Sequence, residues 1–414
     1  MTHEPRLIEP GEAEATMDIV AAVFGAGPVA PDDYRAEMRE ILEPDRTFAV
    51  EDGGRLVGTA SAFTFRLALP GGGTVPMAGV TEAGVLPTHR RRGVLSSLVE
   101  ALHDHAAERG EPVAGLTASE AGIYRRFGYG VATRFQSLAL DARRMAEVPE
   151  SAALTAPGVV RLVTRDEAVT ALPAAWERHW RRTPGEVSRT PGWWRMFALD
   201  VAHARDGASA WYAAVHDDPG GEPDGFVLYR LAPAWDAGGP EFELRIVDLA
   251  AASPAVEAAL VRFAVGVDLV ARVTWHGAPA DDPLRWRLAD PRAVRVTAER
   301  DHLWLRPLDV AACLAARRYA TAGGLVVEVV DGRRPERGGR FLLDAGADGA
   351  ACARTDREAD VAVRMPELGS LLLGGVSWAL LRDAGLVDER VDGAVARADA
   401  LFRTERAPWC ATDF

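Results

Sequence analysis

The sequence contains no lysine, and all 47 of its basic residues are arginine. It has only three cysteines, Cys313, Cys352 and Cys410, and no two of them have the CxxC spacing of a zinc or redox motif. An odd and sparse set of cysteines indicates neither a disulfide framework nor a structural zinc site. We therefore expect a protein of the reducing cytoplasm that binds no metal.

Long apolar runs are also missing. The most apolar stretch, residues 256–275, is interrupted by four charged residues: Glu257, Arg262, Asp268 and Arg272. A membrane-spanning helix rarely tolerates such charges. The N-terminal segment is acidic where a secretory signal has a basic start and an apolar core. The sequence therefore predicts neither a membrane span nor export by a signal peptide.

The composition is that of a globular protein with several domains. The chain has 414 residues, of which 48% are hydrophobic and 26% charged. At about 100 to 200 residues per domain, this length predicts two to four domains. The formal net charge of −13 disfavours nucleic acid as a partner and favours a cationic small molecule or peptide.

Residues 77–102 predict a strand, a basic turn and a helix. The apolar run from Met77 to Leu86 has the length and valine content of a strand, and Pro87 ends it because proline has no N–H for a ladder partner. From Arg91 onward the apolar residues recur at spacings of three and four, the pattern of an amphipathic helix. The helix is therefore expected to begin inside the arginine run.

A helix that begins there has the chemistry of an anion site. Its first-turn N–H groups have no acceptor within the helix, and the helix dipole adds positive charge at the same end. Gly93 has no side chain to keep a phosphate oxygen from the backbone, and the arginines supply charge around it. The residues expected to hold a pyrophosphate are Arg90, Arg91, Arg92, Gly93, Val94, Leu95 and Ser96.

The end of the preceding strand completes this predicted site. If the strand separates from its neighbour at Ala83, Gly84 and Val85, it offers unpaired N–H and C=O groups to an extended ligand that carries amides. A pantetheine arm is such a ligand. A pantetheine arm and a pyrophosphate together describe an acyl-CoA.

Two motifs resemble those of the GNAT N-acetyltransferases. The family's acetyl-CoA motif has the form V-x-P-x-x-R/Q-x-x-G-x-G/A, and Val85, Pro87, Arg90 and Gly93 match it, whereas Leu95 stands where the family has Gly or Ala. A second motif, YRRFGY at residues 124–129, resembles the turn that follows the fifth strand of that fold.

The strings THRRRG, SEAGIYRRFGYG and PWCATDF are similar to those of one subfamily, the Eis acetyltransferases of actinobacteria. The resemblance extends over the whole chain. It implies a mixed α/β and α+β architecture of two tandem GNAT-type domains, the second degenerate, followed by an α+β domain like a sterol carrier protein. We predict these domains at residues 1–150, 151–298 and 299–414.

The element order of the first domain recurs from Val159 to about Ala298. Where the first domain has its RRRG turn, the second has AAASP at residues 250–254, without arginine or glycine. We therefore expect the second domain to bind no cofactor. The third domain is expected to bring the C-terminal end of the chain to the first domain.

The resemblance also assigns catalytic roles. Acetylation of an amine needs a neutral nucleophile, a stabilised oxyanion and a proton for the departing thiolate. The resemblance makes Tyr124 the general acid and the terminal carboxylate of Phe414 the general base. The N–H of Val85 is expected to meet the oxyanion, and Ser119 and Glu120 are expected to flank the pantetheine.

Residue order alone leaves other bases open, because four further candidates lie near the motif in sequence: Glu82, His89, His103 and Glu120. The implied acceptor is an amine of an aminoglycoside, as in antibiotic resistance, or of a lysine side chain. Acidic and aromatic residues near the N-terminus are candidates to hold a polycation, namely Phe24, Asp32, Asp33 and Glu37. The resemblance further implies a homohexamer.

The competing hypothesis is a non-catalytic acyl-CoA or lipid-binding module that kept the fold. A nucleic-acid role for the arginine run is disfavoured in a net-acidic chain. The absence of lysine has two explanations. A GC-rich coding preference is the simpler, and a selected escape from self-acetylation is the alternative.

Overall fold

The computed structural model describes residues 4–152, 154–346 and 349–414. The chain forms two compact units. The first contains the residues up to Thr133, His302–Pro408 and Thr412–Phe414, and the second contains Arg134–Asp301 and Trp409–Ala411. Within the described ranges, no helix combines the length and the apolar character that a bilayer crossing requires.

The strands follow one another along the chain as β1 (Arg6–Leu7), β2 (Thr47–Asp52), β3 (Arg55–Ala68), β4 (Thr74–Val85), β5 (Val113–Thr117), β6 (Gly130–Val131), β7 (Arg134–Asp141), β8 (Val159–Val163), β9 (Tyr212–Asp217), β10 (Pro223–Ala232), β11 (Trp235–Asp236), β12 (Gly239–Pro240), β13 (Phe242–Ala251), β14 (Val270–Pro279), β15 (Val294–Asp301), β16 (Leu303–Pro307), β17 (Gly323–Val330), β18 (Gly339–Gly346), β19 (Gly349–Arg354), β20 (Val361–Arg364) and β21 (Val387–Glu389). The helices are α1 (Ala13–Val23), α2 (Asp32–Ile41), α3 (Val94–Glu108), α4 (Ala121–Tyr124), α5 (Pro149–Ala152), α6 (Arg165–Trp180), α7 (Pro191–Leu199), α8 (Pro254–Val265), α9 (Val310–Ala316), α10 (Met365–Leu371), α11 (Trp378–Asp383) and α12 (Ala394–Phe402).

The main sheet of the first unit has the strand order β1-β2-β3-β4-β5-β16-β6. Strands β4 and β5 are parallel, as predicted, and α3 connects them. The apolar face of α3, which includes Val94, Leu98 and Leu102, is buried in one cluster with Val80 of β4 and Leu116 of β5. Helix α3 therefore covers one face of this sheet.

The helix begins at Val94 and not inside the arginine run, so the predicted start was wrong by about three residues. The backbone explains the difference. Arg91 has φ 62° and Gly93 has φ 88°, and a right-handed helix cannot contain residues in this left-handed region. The basic residues form a turn before the helix.

Two strands lie in sheets that the sequence did not suggest. The final strand predicted for the first domain is β7, and it lies between β15 and β14 of the other unit's sheet. Strand β16, assigned from sequence to the third domain, lies between β5 and β6. Hydrophobic alternation indicates that a segment is a strand, but it does not show which strands that segment pairs with. The domain limits at 150 and 298 stay predictions, while the compact units divide at residues 133 and 301.

The second unit repeats the arrangement of the first. Its sheet has the order β15-β7-β14-β13-β10-β9-β8, and α8 connects the parallel strands β13 and β14. One close approach recurs as well. A Cβ on Gly58 of β3 would lie 2.6 Å from the Val94 side chain of α3, and a Cβ on Gly225 of β10 would lie 2.4 Å from the Val256 side chain of α8. In both copies the helix lies against a glycine of the neighbouring strand.

The C-terminal segment of the first unit adds a sheet with the order β19-β18-β17-β20-β21. A buried ion pair joins its Asp331 to Arg306 of β16, with 2.6 Å between Oδ2 and Nη2. Arg306 also donates from Nη1 to the carbonyl oxygen of Phe127, at 2.7 Å. One guanidinium therefore connects this segment to the turn that follows α4.

Replacing Asp331 by alanine leaves the Arg306 charge buried without its partner. We expect the apparent free energy of unfolding to fall by about 3 to 5 kcal/mol, measured by urea denaturation. Asp388 forms a solvent-exposed pair with Arg390, so Asp388→Ala is the control and should change stability by less than about 1 kcal/mol. Equal effects of the two substitutions would contradict this assignment.

Candidate active site

Strands β4 and β5 separate in the middle of the first unit's sheet. Their last parallel pair is Gly79 with Gly115, and β4 then continues to Val85 paired only with β3. Among the described strands, none pairs with the other edge of β4 beyond Gly79. Main-chain groups of Ala83, Gly84 and Val85 therefore lie beside the cleft that opens between the two strands.

The basic turn lies at the end of this cleft. Its three arginines and Gly93 are exposed, whereas Val94 is buried and anchors the first turn of α3. Gly93 occupies the N-cap position and no side chain caps the helix. The first-turn N–H groups, on Val94, Leu95 and Ser96, therefore have no acceptor within the helix. Free donors beside guanidinium groups form a site for a phosphate.

The corresponding helix of the second unit is closed to such a ligand. Ser253 occupies the N-cap of α8, and its hydroxyl accepts a hydrogen bond from the N–H of Val256 at 3.3 Å. A side-chain cap satisfies one of the donors that an anion would use. The helix start that is open in α3 is thus capped in α8.

Tyr124 ends α4 and is 9% exposed. Its ring lies edge-to-face with Tyr129, with 6.2 Å between centroids, in the cluster on the α3 face of the sheet. Burial raises the pKa of Tyr124 above its ordinary value, and the charge of Glu120 raises it further. The phenol is therefore protonated at neutral pH, as a general acid must be.

Two residues far along the chain, Arg306 and Glu367, lie against the turn after Tyr124. Gly128 has φ 89°, and a Cβ there would lie 1.7 Å from Nη1 of Arg306. Arg125 forms an ion pair with the buried carboxylate of Glu367. Sequence reasoning missed both Arg306 and Glu367. The sequence did offer one signal for Arg306, because it is a single arginine in the otherwise apolar run of β16.

Phe414 lies where β4 and β5 separate. Its ring packs against Phe65, with 4.9 Å between centroids, and a Cβ on Gly79 would lie 3.1 Å from its Cε2. The hydroxyl of Thr117, the last residue of β5, donates a hydrogen bond to the main-chain oxygen of Phe414. Thr117 is another residue that the sequence did not single out. It fixes an oxygen of Phe414 at the mouth of the cleft.

Tyr124 and Phe414 lie on opposite faces of the sheet. Val80 packs with the α3 cluster that contains Tyr124, so the neighbouring Gly79 faces the other way and contacts Phe414. A Cβ on Gly84 would lie 3.5 Å from side chains of α1, and α1 therefore covers the face that carries Phe414.

The structure separates the four other candidate bases. His103 is buried, and its Nε2 lies 2.8 Å from the Tyr129 hydroxyl. Burial lowers the pKa of His103 well below its ordinary value, so the imidazole is neutral. His89 lies in the basic turn, 3.1 Å from Asp52, and Glu120 is exposed beside Ser119 after β5. Glu82 alone lies on β4 inside the cleft.

The family models agree with this architecture. Residues 4–132 and residues 185–307 each match an acetyltransferase (GNAT) domain, and residues 310–411 match a sterol carrier protein domain. Two GNAT domains followed by a sterol carrier protein domain were the fold predicted from the sequence, and that prediction is confirmed.

Similar proteins extend over nearly the whole chain. An uncharacterized N-acetyltransferase of Streptomyces coelicolor is 40% identical over 414 residues and 99% of both chains. The N-acetyltransferase Eis of Mycobacterium bovis is 35% identical over 400 residues and 94% of both chains. The crystal structure of Eis1 from Mycobacterium abscessus superimposes with a TM-score of 0.86 at 37% identity, over 99% of this chain and 100% of that one. A GCN5-related N-acetyltransferase from Anabaena variabilis shares the fold, with a TM-score of 0.84 at 18% identity over 99% of this chain and 100% of its own.

Because its pKa is raised, Tyr124 should remain protonated at about pH 10, where an ordinary tyrosine is half ionised. NMR of protein labelled with ¹³C at tyrosine Cζ measures this directly, and the signal absent from Tyr124→Phe identifies the residue. We expect that signal to keep its neutral-phenol shift at pH 10. A midpoint at or below pH 10 would contradict the effect of burial.

Proposed function

The chain belongs to the Eis family of GNAT N-acetyltransferases, and we propose that it transfers the acetyl group of acetyl-CoA to amines of a cationic acceptor. One observation carries the proposal. Thr117 holds Phe414 at the point where β4 and β5 separate, and the turn containing Tyr124 lies on the other face of the same sheet. A candidate base and a candidate acid thus flank the cleft from opposite sides.

Acetyl-CoA is proposed to bind along β4 and the start of α3. The N–H groups of Val94, Leu95 and Ser96 receive the pyrophosphate, with charge from Arg90, Arg91 and Arg92. Gly93 is exposed and a Cβ there would meet nothing within 4 Å, which leaves room for phosphate oxygens. The pantetheine pairs with Ala83, Gly84 and Val85 and passes Ser119 and Glu120.

The opposite placement of acid and base suits acyl transfer. The Phe414 carboxylate takes a proton from the acceptor ammonium, and the neutral nitrogen forms a bond to the thioester carbonyl carbon. The N–H of Val85 stabilises the oxyanion. The C–S bond then breaks, and Tyr124 gives its proton to the thiolate on the other face. The nitrogen, positively charged after the attack, loses its second proton to water, and Phe414 and Tyr124 return to their starting protonation states by exchange with water. A carboxylate with an ordinary pKa of about 3.5 becomes a better base when it is partly desolvated.

We propose an aminoglycoside or a lysine-containing peptide as the acceptor. The net charge of −13 attracts polycations. Asp32 and Asp33 stand in the first turn of α2, and Phe24, which follows α1, is exposed. Acetylation of aminoglycosides by this chain would confer antibiotic resistance. A homohexamer in the cytoplasm is proposed from the family alone.

The base assignment predicts a large loss of turnover when Phe414 is deleted. Thiol release from acetyl-CoA, measured against a panel of aminoglycosides and lysine peptides, should fall by about 100-fold or more, within the contribution usual for general acid–base groups. One glycine added after Phe414 keeps the ring but moves the carboxylate, and it should cause a similar loss.

The matched control is Asp413→Ala, because Asp413 is exposed and its replacement leaves the terminal carboxylate in place. Equal turnover of the deletion variant and the full chain would exclude the terminal-carboxylate mechanism but keep the transferase. No thiol release with any amine would favour the alternative, a non-catalytic acyl-CoA or lipid-binding module.

The cap on α8 predicts one coenzyme per chain. Isothermal titration of the full chain with CoA should give a stoichiometry of one, because Ser253 caps the helix start of the second unit and the turn before it, residues 250–253, contains no arginine. Two equivalent sites per chain would show that the second unit also binds the coenzyme.

A further inference from the structure

Strand β4 contains a bulge at Glu82. Thr81 pairs with Ser61 of β3 and Gly84 pairs with Thr59, so Glu82 and Ala83 together oppose Ala60 alone. Glu82 has φ 50°, a left-handed conformation that is unfavourable for a residue with a side chain. Bulges next to active sites re-aim a side chain, and strained backbone concentrates at such sites. The strain at Glu82 therefore suggests a role for its side chain.

The Glu82 carboxylate has a hydrogen-bond donor but no counter-ion. It accepts a hydrogen bond from the hydroxyl of Tyr34 on α2, and among the described residues no arginine or histidine lies within ion-pair distance of it. The neighbouring Arg35 already pairs with Glu14 and Asp18. Burial raises the pKa of Glu82, and the Tyr34 hydrogen bond opposes this rise.

Three other carboxylates among the described residues show the more usual arrangement. Glu111 pairs with Arg46 at 2.6 Å, Asp248 with Arg189 at 2.5 Å, and Asp331 with Arg306 at 2.6 Å, and all of these side chains are buried. A carboxylate removed from water without a cation is unfavourable. A cationic ligand would supply to Glu82 the positive charge that arginine supplies to the other three carboxylates.

Glu82 lies on the face where the acceptor is expected. Its partner Tyr34 belongs to α2, which packs on α1, and α1 covers the face of β4 that also carries Phe414. Glu82 stands three positions along β4 from Gly79, which lies against the Phe414 ring. An acceptor with one amino group at Phe414 can therefore extend along β4 and bring a second amino group to Glu82.

We propose that Glu82, oriented by Tyr34, binds a second, non-reacting ammonium of the acceptor and so selects molecules with at least two amino groups. This assignment rests on the proposed function, because it places the reacting nitrogen at Phe414. Tyr34 is a positioning residue. Burial, Glu82 and Glu37 all raise the pKa of its phenol, so the hydroxyl remains a donor to the carboxylate.

The test compares Glu82→Gln with the parent chain for binding of octamethylenediamine and of octylamine, which differ by one terminal amine. Isothermal titration of the CoA-loaded protein is the measurement. We expect the variant to bind the diamine about tenfold to a hundredfold more weakly, as for the loss of one buried charge partner. Its affinity for octylamine and for CoA should not change.

Two controls separate binding from folding. Glu108→Gln makes the same change of net charge at an exposed position and should leave diamine binding unaltered. Glutamine keeps an acceptor for the Tyr34 hydroxyl and removes an unpaired charge, so Glu82→Gln should unfold at an equal or higher temperature than the parent. A lower unfolding temperature would indicate a structural role for Glu82 and overturn the proposal.

The outcomes also separate this proposal from the proposed function. If the parent chain releases thiol with aminoglycosides but binds the diamine no better than Glu82→Gln does, the Glu82 assignment fails and the transferase stands. If the parent chain does not bind the diamine at all, the assignment also fails. Absence of thiol release with every amine refutes the proposed function itself.

Discussion

The pairing of β16 with β5 is the constraint on which the first unit depends. Residues Leu303–Pro307 pair with Thr117–Val113, and they enter the sheet only after Arg134–Asp301 of the second unit. This pairing brings Arg306 behind the turn that follows Tyr124 and joins the C-terminal segment to the first unit. Because Thr117 both pairs with β16 and binds Phe414, the register of one strand pair and the position of the last residue are fixed together.

The cleft divides its chemistry between the two faces of one sheet. On the α3 face are the basic turn, the aromatic cluster and Tyr124. On the α1 face are Phe414 and Glu82. The second unit has the same connection of strand, helix and strand, with the same close approach of helix to glycine, but a capped helix start. The fold was thus retained in both copies, whereas the features that suit a coenzyme occur in the first.

Local patterns in the sequence predicted part of the fold, whereas the role of Tyr124 was implied by resemblance to a family motif. The basic turn before α3 and the parallel strands β4 and β5 follow from spacing over a few residues. The exact start of α3 did not, because the left-handed conformations of Arg91 and Gly93 leave no signal in hydrophobic periodicity. Partners distant in sequence were also missed. Thr117, Arg306 and Tyr34 acquire their roles only through strand register and helix packing, and no local pattern encodes those.

The bulge on β4 has a consequence for how such a site can change over generations. An ordinary strand residue packs on one face or the other, so replacing it disturbs a core. Glu82 stands outside this alternation, between Val80 and Gly84, whose contacts hold α3 and α1 in place. The Glu82 side chain can therefore be replaced without changing the packing of either helix. If Glu82 binds the acceptor as proposed, acceptor preference can change by one substitution while the packing of α1 and α3 on β4 is kept.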